Sequence, residues 1–446
     1  MPNFLHTLNK ATQKFNTQKP SQTRFKRNLI QIFLGGIGGF FFSAFIYLEH
    51  YFDSYSPIFP SFFVIFALLI YLHISRLGAF VYGAVVGLLW FYWIAFSLRF
   101  FDLSFLIPLS WIGIALVYGI LFLFFAYFKN SFFRILTLSL ASFIQPFDFN
   151  WFIPEITLVE SYFFASKINL FLLLTTLAIF SFFVRKKYHK TSFLLLIIGI
   201  LITLVNAPSS TQTLSTLKIQ TTHTQVPQEL RWKPQTLKTI QAQNFALIDE
   251  AINQKNNIVI LPETAFPTIL NQEENLMQLL RAKSHQITII SGGIHKKDNR
   301  YFNSAFIFQQ GEVQIIDKII LVPFGETIPL PKFLARFIDD FFFQGSGGFD
   351  LPKDSLPQSI QVEGEEFRIA ICYEATREEF FKDSPKNLIA ISNNAWFYPS
   401  IESTLQKLLM QYFSNLYQTT IYHSSNYSPD FTLHPLVSKT LRLAFR

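Results

Sequence analysis

A multi-pass α-helical membrane domain followed by an α/β or layered α-β-β-α domain is the architecture the sequence predicts, and three observations predict it. Half of the residues are hydrophobic and 17% are aromatic, with 55 Phe, while 15% are charged; a chain this apolar and charge-poor falls outside ordinary soluble composition. The excess lies almost entirely before residue 207. Beyond Pro208, short β-rich runs alternate with helix-like stretches and carry regularly spaced charges. Three parts follow: a basic tail over 1–27, a membrane domain of about seven helices over 28–206 and a second domain over 207–446.

The tail supplies Lys10, Lys14, Lys19, Arg24, Lys26 and Arg27 ahead of the first apolar segment. That segment is long, starts late and is followed by more of its kind, which does not fit a cleavable signal peptide. Candidate spanning helices cover 28–48, 58–74, 78–97, 104–128, 131–147, 167–184 and 192–206, most of them near the ~20 residues a bilayer core requires. The fifth contains Arg134, Gln145 and Pro146, and the seventh has a short apolar core. The net charge of +8 fits membrane topology better than nucleic-acid binding, because the basic residues cluster at the edges of apolar segments. With the tail in the cytoplasm, Arg76, Lys129 and Arg185-Lys186-Lys187-Tyr188-His189-Lys190 share its side, while Arg99 and Lys167 face the other. Seven crossings then place everything after 207 outside the cytoplasm. An even number would reverse this, so the loop charges carry the inference as much as the count does. Gly83 and Gly87, four apart in the third segment, predict close helix approach, and Trp90 and Trp93 follow them.

In the second domain, strands are expected over 216–222, 257–261, 287–291, 302–309, 312–317, 367–372 and 387–392, and helices over 235–253, 274–284 and 403–418. Gln310-Gly311 marks a hairpin between the fourth and fifth of these strands. Strands alternating with helices and broken by a hairpin indicate layers rather than an all-β fold.

The run Ile369-Ala370-Ile371-Cys372-Tyr373-Glu374 delivers the single cysteine of the chain to a strand end. A lone thiol makes no internal disulfide and is a poor zinc ligand, so its chemistry, if any, is nucleophilic; otherwise it packs as a small hydrophobe. Two further apolar runs end in reactive side chains: Ile258-Val259-Ile260-Leu261-Pro262-Glu263 and Gln314-Ile315-Ile316-Asp317-Lys318. Acyl transfer through a thiol needs a base and a group that stabilises the developing oxyanion. Glu263, Lys318 and Cys372 supply an acid, a cation and a thiol, each of which taken alone reads as a surface charge or core residue.

The pattern resembles the nitrilase superfamily, and more closely its membrane branch, the apolipoprotein N-acyltransferases. Leu261-Pro262-Glu263-Thr264-Ala265-Phe266-Pro267 is similar to the stretch around that family's general base. Asp317-Lys318-Ile319-Ile320-Leu321-Val322-Pro323-Phe324-Gly325-Glu326 is similar to its lysine motif, and Ile371-Cys372-Tyr373-Glu374 to its nucleophile motif. The stretches Val226-Pro227-Gln228-Glu229-Leu230-Arg231-Trp232 and Ser392-Asn393-Asn394-Ala395-Trp396-Phe397 fit as well.

The resemblance implies a nitrilase-like α-β-β-α sandwich whose Cys372 takes a fatty acyl group from a phospholipid donor as a thioester. The α-amino group of a diacylglyceryl-modified amino-terminal cysteine on an apolipoprotein then attacks it. In that picture Glu263 is the general base, Lys318 stabilises the oxyanion, Glu326 and Glu374 support them, and Trp232 and Tyr373 contact substrate. An ammonium near the thiol would lower its pKa. The implied location is the inner membrane with the catalytic domain on the periplasmic face, in contact with membrane lipids. No cofactor is implied, and the nine His show no ligand spacing with the lone Cys that would form a metal site. Residues 336–349, with Phe341-Phe342-Phe343 and Gly345-Ser346-Gly347-Gly348, read as an apolar lid over lipid or as a packed loop. Two features depart from the family: its usual final spanning helix is not in this sequence, and Ile421-Tyr422-His423-Ser424-Ser425-Asn426-Tyr427-Ser428 lacks the Arg and Gly of the family's Arg-x-x-Asn-x-Gly. A membrane-tethered amidase that uses water as acceptor, and a non-enzymatic transporter or receptor, remain as alternatives.

Overall fold

Apolar periodicity builds the first unit and strand alternation the second. The computed structural model describes residues 20–52, 54–128, 130–146, 149–205, 214–323, 326, 350–352 and 356–436. The lid candidate at 336–349 and the basic tail before Pro20 lie outside them. The chain divides into two compact units, with the main boundary between Ala207 and Pro208; Phe96–Ser104 and Gln145–Trp151 group with the second unit.

In the first unit the helices are α1 (Pro20–Tyr51), α2 (Ile58–His73), α3 (Arg76–Phe91), α4 (Ile107–Phe125), α5 (Ser131–Ser139), α6 (Lys167–Arg185) and α7 (His189–Val205). Among the described residues, four helical stretches are long and apolar enough to cross a membrane, Arg24–Tyr51, Arg76–Phe100, Ser104–Phe125 and Lys167–Arg185, and Ile58–His73 and His189–Leu204 are shorter apolar helices. The glycine pair acts as expected: a Cβ at Gly83 would sit 2.2 Å from the Tyr118 carbonyl oxygen, so hydrogen alone lets α3 meet α4. Trp90 packs inward, its Nε1–H donating to Ser43 Oγ at 3.1 Å.

The expected helix over 131–147 is not continuous. α5 stops at Ser139, and short 3₁₀ turns at Ala141–Phe143 and Pro154–Leu158 follow it, the second with Pro154 at its start, where a missing N–H costs nothing. The chain nevertheless passes from one end of α6 to the other. Arg134 of α5 donates to the carbonyls of Tyr71 and Ile74 at 2.7 and 2.9 Å, beside His73, which contacts Arg185 at the end of α6. Farther along, Glu155 accepts from Ser142 and pairs with Lys167 at the start of α6, both at 3.0 Å. Irregular backbone is tolerated in an apolar setting when protein covers it; residues 149–165 are buried throughout except Tyr162.

The second unit holds two sheets. One runs β1 (Ile219–Thr221), β3 (Ile258–Ile260), β4 (Thr288–Lys297), β5 (Arg300–Gln309), β6 (Glu312–Asp317); the other runs β11 (Phe431–Leu433), β10 (Thr420–Asn426), β9 (Asn387–Asn393), β8 (Glu365–Ile371), β7 (Ser359–Val362), with β2 (His223–Thr224) pairing β10. Alternation assigns the faces. Ile258, Ile260, Ile290 and Ile307 meet Phe367, Ile369, Ile371 and Ile389 between the sheets. Val259, Ile289, Phe306 and Phe308 turn the other way and pack under α8 (Pro234–Asn253) and α9 (Glu274–Lys283) through Ile248, Leu276 and Leu280. The third helix, α10 (Glu402–Tyr417), contacts β10 and β11 of the second sheet. This is the α-β-β-α sandwich. β4 does not end at Gly292-Gly293 as expected from the sequence but runs on to Lys297, because Gly292 and Gly293 pair opposite the small Ala305 and Ser304. The altered stretch 421–428 forms most of β10, buried between β9 and β11.

Candidate active site

Three strand ends converge. β3 leads through Leu261-Pro262 to Glu263, β6 ends one residue before Lys318, and β8 ends one residue before Cys372. Cys372 takes φ +56° and Thr264 φ +49°, a left-handed backbone that L-residues avoid and that concentrates at functional turns. The turn carrying Glu263 also needs a glycine opposite: a Cβ on Gly292 would lie 2.2 Å from the Thr264 nitrogen and 2.6 Å from the Glu263 Cα.

Lys318 is 1% exposed. Its Nζ donates to both Glu326 oxygens at 2.8 and 2.6 Å and lies 3.8 Å from Glu263 Oε1. Burial alone would lower its pKa, but Glu326 and Glu263 outweigh that and raise it, so it stays an ammonium. Glu263 accepts from Asn303 Nδ2 at 2.6 Å, and its carbonyl accepts from Arg231 at 3.1 Å. Burial raises the Glu263 pKa against the opposing pull of Lys318, and Glu326 adds to the rise. Cys372 is partly exposed, yet the protein around it and the charge of Glu263 push its thiol well above the usual range, with Lys318 opposing. The expectation of a lowered thiol pKa is therefore corrected. The ammonium that was to stabilise a thiolate is spent on two carboxylates, so the resting sulfur is a thiol and requires a base.

Glu326 binds backbone as well as Lys318, and among the described residues Glu374 binds backbone alone. Glu326 accepts from the Val322 N–H at 2.8 Å. Glu374 Oε1 accepts from the N–H groups of Ile319 and Ile320 at 2.6 and 3.0 Å, and Oε2 from Ile371 at 2.8 Å. One carboxylate thus ties the chain after Lys318 to the residue before Cys372. Burial raises the Glu374 pKa to about 7 against the pull of Lys318 and those N–H groups. Trp232 is 47% exposed next to Arg231, whereas Tyr373 is 1% exposed. The Tyr373 ring stacks on Phe149, and its hydroxyl accepts from the Asn150 N–H at 3.0 Å.

Family models match both units: the apolipoprotein N-acyltransferase integral membrane domain over residues 29–202 and carbon-nitrogen hydrolase over 224–413. The apolipoprotein N-acyltransferase of Wolinella succinogenes is 40% identical over 398 residues, covering 89% of this chain and 94% of that protein. That of Helicobacter hepaticus is 37% identical over 407 residues, with 88% and 97% covered. The chain belongs to the apolipoprotein N-acyltransferase family. A more distant relative, the apolipoprotein N-acyltransferase of Campylobacter jejuni, is 32% identical over 446 residues, with 98% and 96% covered. Membership makes this a multi-pass membrane protein whose second domain is an acyltransferase on the nitrilase fold.

Sequence reasoning missed three groups. Asn303 showed only as one of several polar residues in a mostly apolar strand, and Arg231 lay within a quoted stretch without a role. Glu402 read as an ordinary acid in the first turn of a helix. It is 3% exposed, and burial together with the charge of Glu263 raises its pKa to about 8.

Proposed function

We propose that this chain transfers a fatty acyl group from a membrane phospholipid, through a thioester on Cys372, to the α-amino group of the diacylglyceryl-modified amino-terminal cysteine of apolipoproteins. The observation that carries this reading is the meeting of Glu263, Lys318 and Cys372 at three strand ends in a chain that aligns with apolipoprotein N-acyltransferases over nearly its whole length. Glu263 takes the thiol proton as sulfur attacks the donor ester carbonyl. Lys318, held protonated by Glu326, stabilises the tetrahedral oxyanion. Collapse forms the thioester and releases the lysophospholipid, whose oxygen takes the proton from Glu263. The acceptor amine then attacks, the C–N bond forms, the C–S bond breaks, and a proton from the nitrogen returns to sulfur through Glu263. Two successive transfers at one thiol give ping-pong kinetics.

Trp232, exposed beside the base turn, serves as a substrate contact, and Tyr373 positions the nucleophile turn by packing. Both substrates are lipids, and withdrawing either from the bilayer costs ~0.8 kcal/mol per methylene, which accounts for a catalytic domain carried on a membrane domain. The loop charges support an inner-membrane protein with the catalytic domain on the periplasmic face. The anchoring of Arg134 near one end of α6 and of Glu155 at the other supports counting this stretch as a crossing, in keeping with an odd number.

Intact-mass analysis of the purified protein after incubation with one defined phospholipid tests the reading. A hydroxylamine-labile acyl mass on wild type, absent from Cys372→Ala and discharged onto a diacylated lipopeptide with a free amine, is expected. Folded wild-type protein that acquires no adduct would overturn it.

A further inference from the structure

Beside the triad lie buried polar atoms that the mechanism leaves unused. α10 packs on the turn Cys372–Thr376, and its first residue is Glu402. Glu402 Oε2, Gln406 Nε2 and Asn394 Oδ1 are buried with no hydrogen-bond partner among the described residues. Glu402 and Gln406, four apart, share a helix face, and Gln406 Oε1 accepts from Asn394 Nδ2 at 3.1 Å. Buried polar atoms without partners are costly and call for an explanation. Two acceptors, Oε2 and Oδ1, and one donor, Nε2, form the complement of an amino-terminal residue, which offers N–H donors and one carbonyl acceptor within a few atoms.

We propose that Glu402, Gln406 and Asn394 seat the α-amino end of the acceptor, and that Glu402 takes a proton from its ammonium so that a neutral amine meets the Cys372 thioester. The inference rests on the acyl-thioester reading above. In the step, the ammonium N–H bond breaks, the proton passes to a Glu402 carboxylate oxygen, and the freed lone pair forms the C–N bond as the C–S bond breaks. Placement supports it. α10, which Glu402 opens, packs on the turn that begins with Cys372, and Asn394 directly follows β9, the parallel neighbour of the strand that delivers Cys372. The elements packed on α10 bring Cys372, Tyr373, Glu374, Tyr422 and His423 as their titratable groups. A free α-ammonium has an ordinary pKa of about 8, close to that of Glu402; an ammonium seated against the carboxyl is an opposite charge that favours its ionised form, the one that accepts the proton.

The test separates the half-reactions of the full-length enzyme. Glu402→Gln and Glu402→Asp are acylated with a defined phospholipid, isolated, and discharged either with a synthetic diacylglyceryl-cysteinyl peptide or with hydroxylamine, a nucleophile that is already neutral at pH 7. For Glu402→Gln, discharge onto the peptide should slow about 100-fold or more, while hydroxylamine discharges the adduct at the wild-type rate; Glu402→Asp should recover part of the loss. Peptide discharge at the wild-type rate would overturn the proposal, as would equal slowing with both nucleophiles, which marks a structural role. Absence of an adduct on wild type would instead defeat the thioester reading. Should Glu402→Gln fold poorly, Gln406→Leu gives the second arm, with a raised KM for the peptide and unchanged hydroxylamine discharge expected and an unchanged KM counting against the seat.

Discussion

Replacing Glu326 by Gln removes the carboxylate closest to Lys318 and leaves the ammonium, 1% exposed, with Glu263 at 3.8 Å as its remaining ionic partner. At an effective dielectric of about 20, a pair at the observed 2.6 Å is worth roughly 6 kcal/mol and one at 3.8 Å roughly 4 kcal/mol before desolvation. The ammonium therefore shifts its weight onto Glu263. Breaking a buried pair by deleting one member costs about 3–5 kcal/mol, and the surviving contact places this variant at the low end. Glu263 also loses the neighbouring charge that raises its pKa and gains a closer cation, so it becomes a weaker base. The cost of the broken pair falls on stability; the weaker base and the displaced ammonium slow the acylation step itself, by about 100-fold on the scale of losing a general base or an oxyanion donor. Single-turnover acylation of Cys372 by a defined phospholipid, followed by intact mass, reads that rate, and thermal melting reads the stability. Acylation within about threefold of wild type at an unchanged melting temperature would refute this account of how Lys318 is held.

Gly292→Ala should abolish acylation and lower the melting temperature, since its methyl would have to displace the backbone of Glu263 and Thr264; wild-type acylation would show that the base turn tolerates movement. Glu402 makes stability pH-dependent with a defined sign. Its folded pKa of about 8 lies above its ordinary value, so the stability it supports is present below about pH 4.5 and lost as pH rises through 8. Glu402→Gln should therefore melt higher than wild type at pH 8.5, by an amount on the order of 4 kcal/mol, and match it near pH 4.5; identical melting curves at both pH values would contradict the burial argument. Trp232→Ala should raise the KM for lipid substrates and leave thermal melting unchanged, because the side chain is 47% exposed; a large loss of stability with unaltered KM would make it a packing residue.

The sequence by itself determined the two-part build, because residue composition fixes the solvent a segment can occupy and period-2 alternation fixes the faces of a strand. It also placed Glu263, Lys318 and Cys372 at strand ends, where an apolar run stops at a reactive side chain. What it could not carry was the helix count at 131–147. Hydropathy counts apolar residues and does not register that α5 ends at Ser139 and that buried irregular backbone over 149–165 takes its place. Nor could it show that Glu374 holds the lysine loop and the nucleophile turn with one carboxylate, since Ile319 and Glu374 are 55 positions apart. The thiol's protonation was decided by tertiary structure for the same reason. Sequence placed a cation and a thiol in one site, but two carboxylates brought there by folding, Glu263 buried and Glu326 half-buried, claim the cation first and leave Cys372 to be activated by Glu263.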